Sequence, residues 1–237
     1  MTDDMPVNPA DAFVELGRIK LSETDLHGVL DKIAELAKRT VPGAAEVTVT
    51  LVRGEGAQTA AFTGDVALAL DESQYRRGHG PCLDASAGAV TLSLPDMARE
   101  SRWPDFARSA LDARVHSSLS VGLPVHEDVT GALNIYATRT GAFGDDAVEL
   151  AEAFSSYAAV TLGNAHLYDT TATLAEQMQA AMRSRAVIEQ AKGILMGGRR
   201  CSAEEAFKIL SKLSQDTNRK LRDVAAALVD SVQPGRT

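Results

Sequence analysis

The chain has 237 residues, 45% of them hydrophobic, and carries 24 Lys and Arg against 32 Asp and Glu for a formal net charge of −8. That is enough apolar material for one medium domain plus a small appendage, and it excludes a disordered chain. No run approaches the ~18 apolar residues of a bilayer span, and the acidic start Met1-Thr-Asp-Asp-Met-Pro is unlike a secretory signal, so a cytoplasmic protein without membrane contact is expected.

Residues 11–40 place Phe13, Leu16 and Ile19, then Leu26, Val29, Leu30, Ile33, Leu36 and Ala37, at helical spacing, which predicts two helices broken near residues 22–24. Pro42-Gly43 punctuates the chain. Residues 46–52 then alternate like a half-buried strand, with Gly54 and Gly56 as a turn and a hairpin partner around residues 58–62. Further strands are expected at residues 90–94, 117–125 and 131–137, the last two joined by a short loop holding Glu127 and Asp128. The pattern reads as an antiparallel sheet flanked by helices. Residues 70–84, with a turn-rich centre at Arg76-Arg-Gly-His-Gly-Pro-Cys82, and residues 95–114 read as looser stretches, the second helical after Trp103-Pro104.

From Asp145 the spacing is helical. A helix over residues 146–164 is expected to close the first domain, and a second run continues through Leu167, Thr171, Leu174, Met178, Ala181, Arg185 and Ile188. Those steps of four and three make a heptad seam of about three heptads, in which Thr171 and Arg185 are the weak members. A parallel homodimeric coiled coil is favoured over a connector lying on its own domain, because no other surface in the sequence claims the stripe.

Charge is segregated along the chain. Residues 183–237 carry 11 Lys and Arg against 6 Asp and Glu, leaving 13 against 26 for residues 1–182, the split expected of a nucleic-acid-binding tail on a domain with another task. The tail reads as three helices. The first ends at Gly197-Gly198, and Ser202-Ala-Glu-Glu205 is a capping box opening the second. Thr217 or Asn218 can cap the third. Ala206, Phe207, Leu210 and Leu213 form one stripe, and Leu221, Val224, Ala225, Leu228 and Val232 another. With Ile188, Ala191 and Leu195 these make a small core.

Outside that core lie Lys192, Lys208, Lys212, Arg219, Lys220 and Arg222, with Gln190, Gln215 and Asn218 as hydrogen-bonding groups. Arg219 and Lys220, read in the first turn of the third helix, oppose its macrodipole, at a cost of roughly 0.3–1 kcal/mol. A phosphate-binding site would want them there. Phe207 is the only aromatic after Tyr168, and its spacing places it in the core, which leaves base stacking to Arg219 or Arg222. Gly193 admits either a close approach of RNA or tight helix packing.

The motif Ile188-Glu-Gln-Ala-Lys-Gly-Ile-Leu-Met196, followed by Glu205-Ala-Phe207, Ser214-Gln215 and Asn218-Arg-Lys-Leu-Arg-Asp-Val-Ala225, resembles the ANTAR domain of bacterial transcription antitermination regulators. The resemblance covers about the last quarter of the chain. It implies binding to paired RNA hairpins with six-nucleotide loops in nascent transcripts, held by a dimer so that a terminator cannot form. The second and third helices and the end of the first would face the loop.

Residues 25–165 resemble the GAF sensor domain, in the form that precedes ANTAR in actinobacterial regulators. The motifs are Gly80-Pro-Cys-Leu-Asp84, Arg102-Trp-Pro-Asp-Phe-Ala107, Ser117-Ser-Leu-Ser120, Gly131-Ala-Leu-Asn-Ile-Tyr136 and Phe143-Gly144-Asp145. This resemblance implies a six-stranded antiparallel sheet with helices on both sides. The expected architecture is therefore α+β: a GAF-type antiparallel sheet flanked by helices, then a coiled-coil helix and an all-α three-helix ANTAR domain. Its segments are residues 1–24 (N-terminal helical), 25–165 (GAF-like sensor), 166–186 (coiled-coil linker) and 187–237 (ANTAR).

Cys82 and Cys201 fall in different domains and neither belongs to a C-x-x-C pair, so neither a disulfide framework nor a zinc site is expected. Cys82 has Arg76, Arg77 and His79 nearby, which makes it a candidate redox thiol. A buried, inert thiol is the favoured reading. Some GAF domains reduce free methionine sulfoxide with a set of cysteines, and a single cysteine here lacks the resolving partner. His79, His116 and His126 show no metal-ligand spacing, and Trp103 reads as a loop anchor. Without a nucleophile elbow, phosphate loop or paired catalytic carboxylates, no enzyme, cofactor or metal is expected.

The leading expectation is thus an RNA-binding antitermination regulator, homodimeric through the coiled coil, with an unidentified small-molecule ligand or signal for the sensor. A helix-turn-helix DNA-binding regulator and a small-molecule sensor acting only through protein partners are the competing readings.

Overall fold

The computed structural model describes residues 8–54, 56–126 and 129–232. The loop read at Glu127 and Asp128, and the first seven residues of the N-terminal segment, lie outside them. The chain divides into two compact units, Met1–Asp169 and Thr170–Thr237.

In the first unit, α1 (Pro9–Gly17) starts where the Asn8 side chain accepts the Ala10 amide and Pro9 supplies a pre-set first turn. Asp25 opens α2 (Leu26–Thr40) in the same way, accepting from the Gly28 amide at 2.8 Å. Then come β1 (Glu46–Arg53), β2 (Gly56–Phe62), α3 (Asp65–Arg77), α4 (Pro81–Gly88) and β3 (Thr91–Leu94). A single 3-10 turn (Met97–Arg99), α5 (Pro104–Asp112), β4 (Ser117–His126), β5 (Val129–Ala137) and the long α6 (Asp145–Arg199) follow. The strands form one antiparallel sheet in the order β2-β1-β5-β4-β3. It has five strands among the described residues, where the family resemblance implied six.

Strand alternation gives this sheet two chemically different faces. Val47, Val49 and Leu51 of β1, Leu119, Val121 and Leu123 of β4, and Leu133 and Ile135 of β5 turn to one side. There they meet α1, α2 and the first part of α6, through residues such as Ile33, Leu36, Phe154 and Leu162. Each such side chain contributes roughly 1.5–3 kcal/mol by leaving water. The other face carries Thr48, Thr50, Ser118, Ser120, Asn134 and Tyr136, all buried.

What buries that polar face is the part of the chain expected to be loose. Residues 65–88 are two helices. The reading failed because α3 buries Asp71, Ser73 and Gln74 alongside Ala67 and Leu70, so it shows no clean apolar stripe at helical spacing. Gly78 ends α3 in the left-handed region at φ 73°. Gly122 lets α4 lie against β4: a Cβ there would stand 2.7 Å from the Ala85 carbonyl oxygen and 2.8 Å from the Ala89 Cα.

The helix read over residues 146–164 and the heptad run after it are one continuous helix of 55 residues, α6. In the second unit the end of α6 packs with α7 (Ala203–Thr217) and α8 (Leu221–Val232). The core is Ala191, Leu210, Val224 and Ala225, with Val187, Ile188, Leu195, Leu221, Leu228 and Val229 packed around it. Among the described residues, no helix is long and apolar enough to cross a membrane.

Candidate nucleic-acid interface and a buried polar cluster

The capping box at α7 forms as its spacing requires. The Glu205 amide donates to Ser202 Oγ at 3.2 Å, and the Ser202 amide donates to the Glu205 carboxylate at 2.8 Å. Those bonds hold the Glu205 carboxyl below its usual range. At the far end Asn218 takes the left-handed conformation, φ 50°, and closes α7; Thr217 Oγ1 donates back to the Leu213 carbonyl. Asn218 therefore serves α7 rather than α8, and the amides of Asp223 and Val224 donate to the Lys220 carbonyl. Arg219 and Lys220 stand just before α8 rather than in its first turn, at the positive end of its macrodipole, where an anion would be drawn.

The candidate cations are not equivalent. Lys192 is largely buried and held by Glu189 at 2.9 Å, Lys208 is held by Glu204 at 2.8 Å, and Arg222 lies 3.5 Å from Asp223. Arg219 reaches the Asp223 carbonyl at 3.4 Å, while Lys212, Arg219 and Lys220 have no carboxylate partner among the described residues. These last three are the cations left for an external anion. Gln190, Gln215 and Asn218 are exposed. Gly193 is exposed too, and a Cβ there would meet nothing within 4 Å, so tight helix packing is not its reason.

Phe207 and Leu213 are corrections. Both were read as core, yet Phe207 is 44% and Leu213 47% exposed. Ala206 and Leu210 fill the interior, and Phe207, one step on from Ala206, is turned about 100° away around the helix.

The seam residues Leu167, Thr171, Leu174, Met178, Ala181 and Arg185 are exposed along α6, whereas Ile188 packs into the three-helix core. The apolar exposure also begins earlier than the sequence suggested. Tyr157 and Val160 are 57% and 64% exposed and sit in step with Leu167.

In the first unit the two sheet-facing helices close over a polar cluster that the sequence reading missed. Asp71, fully buried, accepts from Thr48 and Tyr136 hydroxyls, both at 2.5 Å, and from Thr59 and Thr50 at 3.2 and 3.3 Å. The Asn134 amide bridges Thr48 and Thr50, both at 3.1 Å, and Tyr75 OH bonds the same Thr50 and Thr59 hydroxyls. Burial pushes the Asp71 carboxyl above its ordinary value, and drives the Tyr75 and Tyr136 phenols upward as well. The signal was there in Thr48, Thr50, Asn134 and Tyr136. Alternation assigned that face to water, and only the covering helices make it an interior.

Two of the sequence motifs also meet. Trp103 Nε1 donates to Asp84 Oδ2 at 2.9 Å, while the Arg102 guanidinium stacks 4.5 Å from the indole centre. Trp103 thus fastens the start of α5 to α4, the anchor role expected of it.

A family model described as GAF domain matches residues 23–162. The chain belongs to the GAF domain family. A second model, ANTAR domain, matches residues 176–229. No curated protein matches the chain. Among solved structures, the GAF fold is similar to the phycocyanobilin-bound GAF domain from a cyanobacterial phytochrome, with TM-score 0.51 and 14% identity over 68% of this chain and 97% of that one. It is also similar to reduced fRMsr of Staphylococcus aureus, with TM-score 0.52 and 20% identity over 68% and 99%. A third is free methionine-R-sulfoxide reductase from Neisseria meningitidis in complex with its substrate, with TM-score 0.50 and 18% identity over 69% and 89%. At these identities the likeness is one of fold.

Within this GAF domain Cys82 is fully buried at the rim of the polar cluster, where its thiol donates to Thr50 Oγ1 at 3.1 Å. Burial and the nearby Asp71 push the thiol upward, away from the reactive thiolate. The electropositive setting read from Arg76, Arg77 and His79 does not reach it: all three are exposed. Native protein treated with a thiol-specific reagent at pH 8 is expected to leave Cys82 unmodified until denaturant is added. Modification at the rate of a small free thiol would contradict this. Among the described residues no cluster of His, Cys, Asp and Glu could hold a metal ion.

Proposed function

We propose that this chain is a homodimeric RNA-binding antitermination regulator without enzymatic activity. Its paired C-terminal units grip two hairpins with six-nucleotide loops in nascent RNA and keep a terminator from forming, and the GAF domain biases that grip in response to a ligand or signal. The observation that carries the reading is the ANTAR match over residues 176–229 together with Lys212, Arg219 and Lys220, which stand outside the three-helix core and have no carboxylate partner among the described residues. Exposed apolar residues at heptad steps along α6, Leu167, Leu174 and Met178, support the pairing.

Pairing would act through avidity. Two weak hairpin contacts joined in one dimer exceed either alone by about 10²–10⁴ when the hairpin spacing matches. The test is a titration of labelled two-hairpin RNA, with one-hairpin RNA and duplex DNA as competitors at fixed salt. Tight binding to the two-hairpin RNA, with weak competition by both others, is expected. Preference for the duplex would make α7 and α8 a helix-turn-helix, and no binding at any salt would leave a sensor working through protein partners. The double substitution Leu174→Glu and Met178→Glu is expected to halve the mass by light scattering and to remove the advantage of two hairpins over one.

A further inference from the structure

We propose that Phe207 is the platform on which an unpaired base of the bound RNA stacks, an inference that rests on the RNA-binding reading of the C-terminal unit. A phenyl ring 44% exposed on a small helical unit is unusual as packing: the core on the other side of α7 is completed by Ala206 and Leu210 without it. No other aromatic follows Tyr168.

Its neighbours on the helix are those a nucleic acid would want. Steps of three and four from Phe207 lead to Ser211, Ser214 and Gln215 on the same side of α7, with Lys208 and Lys212 along one flank. The one carboxylate on this arc, Glu204, is engaged by Lys208 at 2.8 Å.

The turn into α8 is tied to the same side. Ser214 Oγ contacts the Arg219 carbonyl at 2.5 Å, and the Arg219 amide donates to the Ser214 carbonyl at 3.1 Å. Arg219 and Lys220 therefore leave α7 from the side that presents Phe207, roughly 16 Å along the axis from it. The geometry is a rigid aromatic plane at one end of a polar strip and cations at the other. Single-stranded RNA loops are held by that combination: bases splay out and stack, while cations hold the backbone. A duplex, with its bases already stacked on one another, has no use for the ring.

The test measures affinity by fluorescence anisotropy for a hairpin with a six-nucleotide unpaired loop and for a blunt RNA duplex of equal length. Phe207→Ala is expected to weaken hairpin binding between about 5- and 100-fold and leave duplex binding unchanged. Phe207→Trp is expected to restore the hairpin affinity. The proposal is overturned by an equal loss on both RNAs, by no loss, or by a change in light-scattering mass, which would make Phe207 a contact between copies of the chain. Wild-type protein that binds neither RNA would overturn the RNA reading itself, a result visible before any variant is made.

Discussion

Replacing Asp71 with Ala is expected to lower the melting temperature of the GAF unit by about 10 °C. The carboxyl is the shared acceptor for Thr48, Thr59 and Tyr136 hydroxyls on three different strands, and its removal leaves the buried Thr48 and Tyr136 hydroxyls without their acceptor, while Thr59 keeps Tyr75. Each such donor costs roughly 1–3 kcal/mol, so a loss of about 3–5 kcal/mol follows, at ~2–4 °C per kcal/mol for a domain of this size. Asp71→Asn keeps the shape and one acceptor and should cost less than half as much.

The same pair of variants reports the protonation state. Burial raises the folded-state value of Asp71 above its ordinary 3.8, so the folded domain binds the proton more tightly than the unfolded chain. Its contribution is therefore fully present below pH 3.8 and declines as the pH climbs through the folded value. The stability advantage of the wild type over Asp71→Asn should accordingly be largest in acid and shrink on the alkaline side of that window. An advantage that grew with pH would mean that the four hydroxyl donors hold a buried carboxylate.

The second large effect is expected at the other end of the chain. Arg219→Ala combined with Lys220→Ala should reduce hairpin affinity about 100-fold and flatten the dependence of log K on log salt by about 1.4, the share of two phosphate contacts on single-stranded RNA. The fold should change little, because most bonds that shape this turn come from the Arg219 and Lys220 main chain, the Arg219 guanidinium adding one exposed contact of 3.4 Å to the Asp223 carbonyl. Lys192→Ala is the contrasting variant: that ammonium is half of a pair with Glu189 and mostly covered, so it should matter much less. If the double variant bound as tightly as the wild type at equal mass, the basic entrance to α8 would have no part in RNA recognition.

How far these sites were legible in the sequence differs between the two units. In the C-terminal unit the spacing of Ala191, Leu210, Val224 and Ala225 was enough to find the core, because a small three-helix unit has little besides periodicity to decide it. What periodicity could not decide was the edge of the stripe. Phe207 and Leu213 sit beside true core positions, and a turn of some tens of degrees in how α7 lies on its neighbours separates a buried ring from an exposed one. Carboxylate pairing was equally invisible as an outcome: Lys192 and Lys212 look alike in sequence, and only one has a partner at hand.

In the GAF unit the strands were legible and the site was not. Thr48, Thr50, Asn134 and Tyr136 alternate with apolar neighbours like the wet face of any half-buried strand. A polar side chain reads the same whether it faces water or a covering helix, and α3 hid its own identity by burying Asp71 and Gln74.

By itself, then, the sequence determined the order of domains, the alternating strands of the sheet, the capping box at Ser202 and the separation of charge between the two ends, all of which depend on residues near one another along the chain. Only the tertiary structure decided that α3 and α4 seal the polar side of the sheet around Asp71, that Cys82 is shut away from solvent, which cations near α8 lack a carboxylate, and that Phe207 is exposed. Those properties depend on what lies across from a side chain, and burial and pairing are relations between elements that no local spacing encodes.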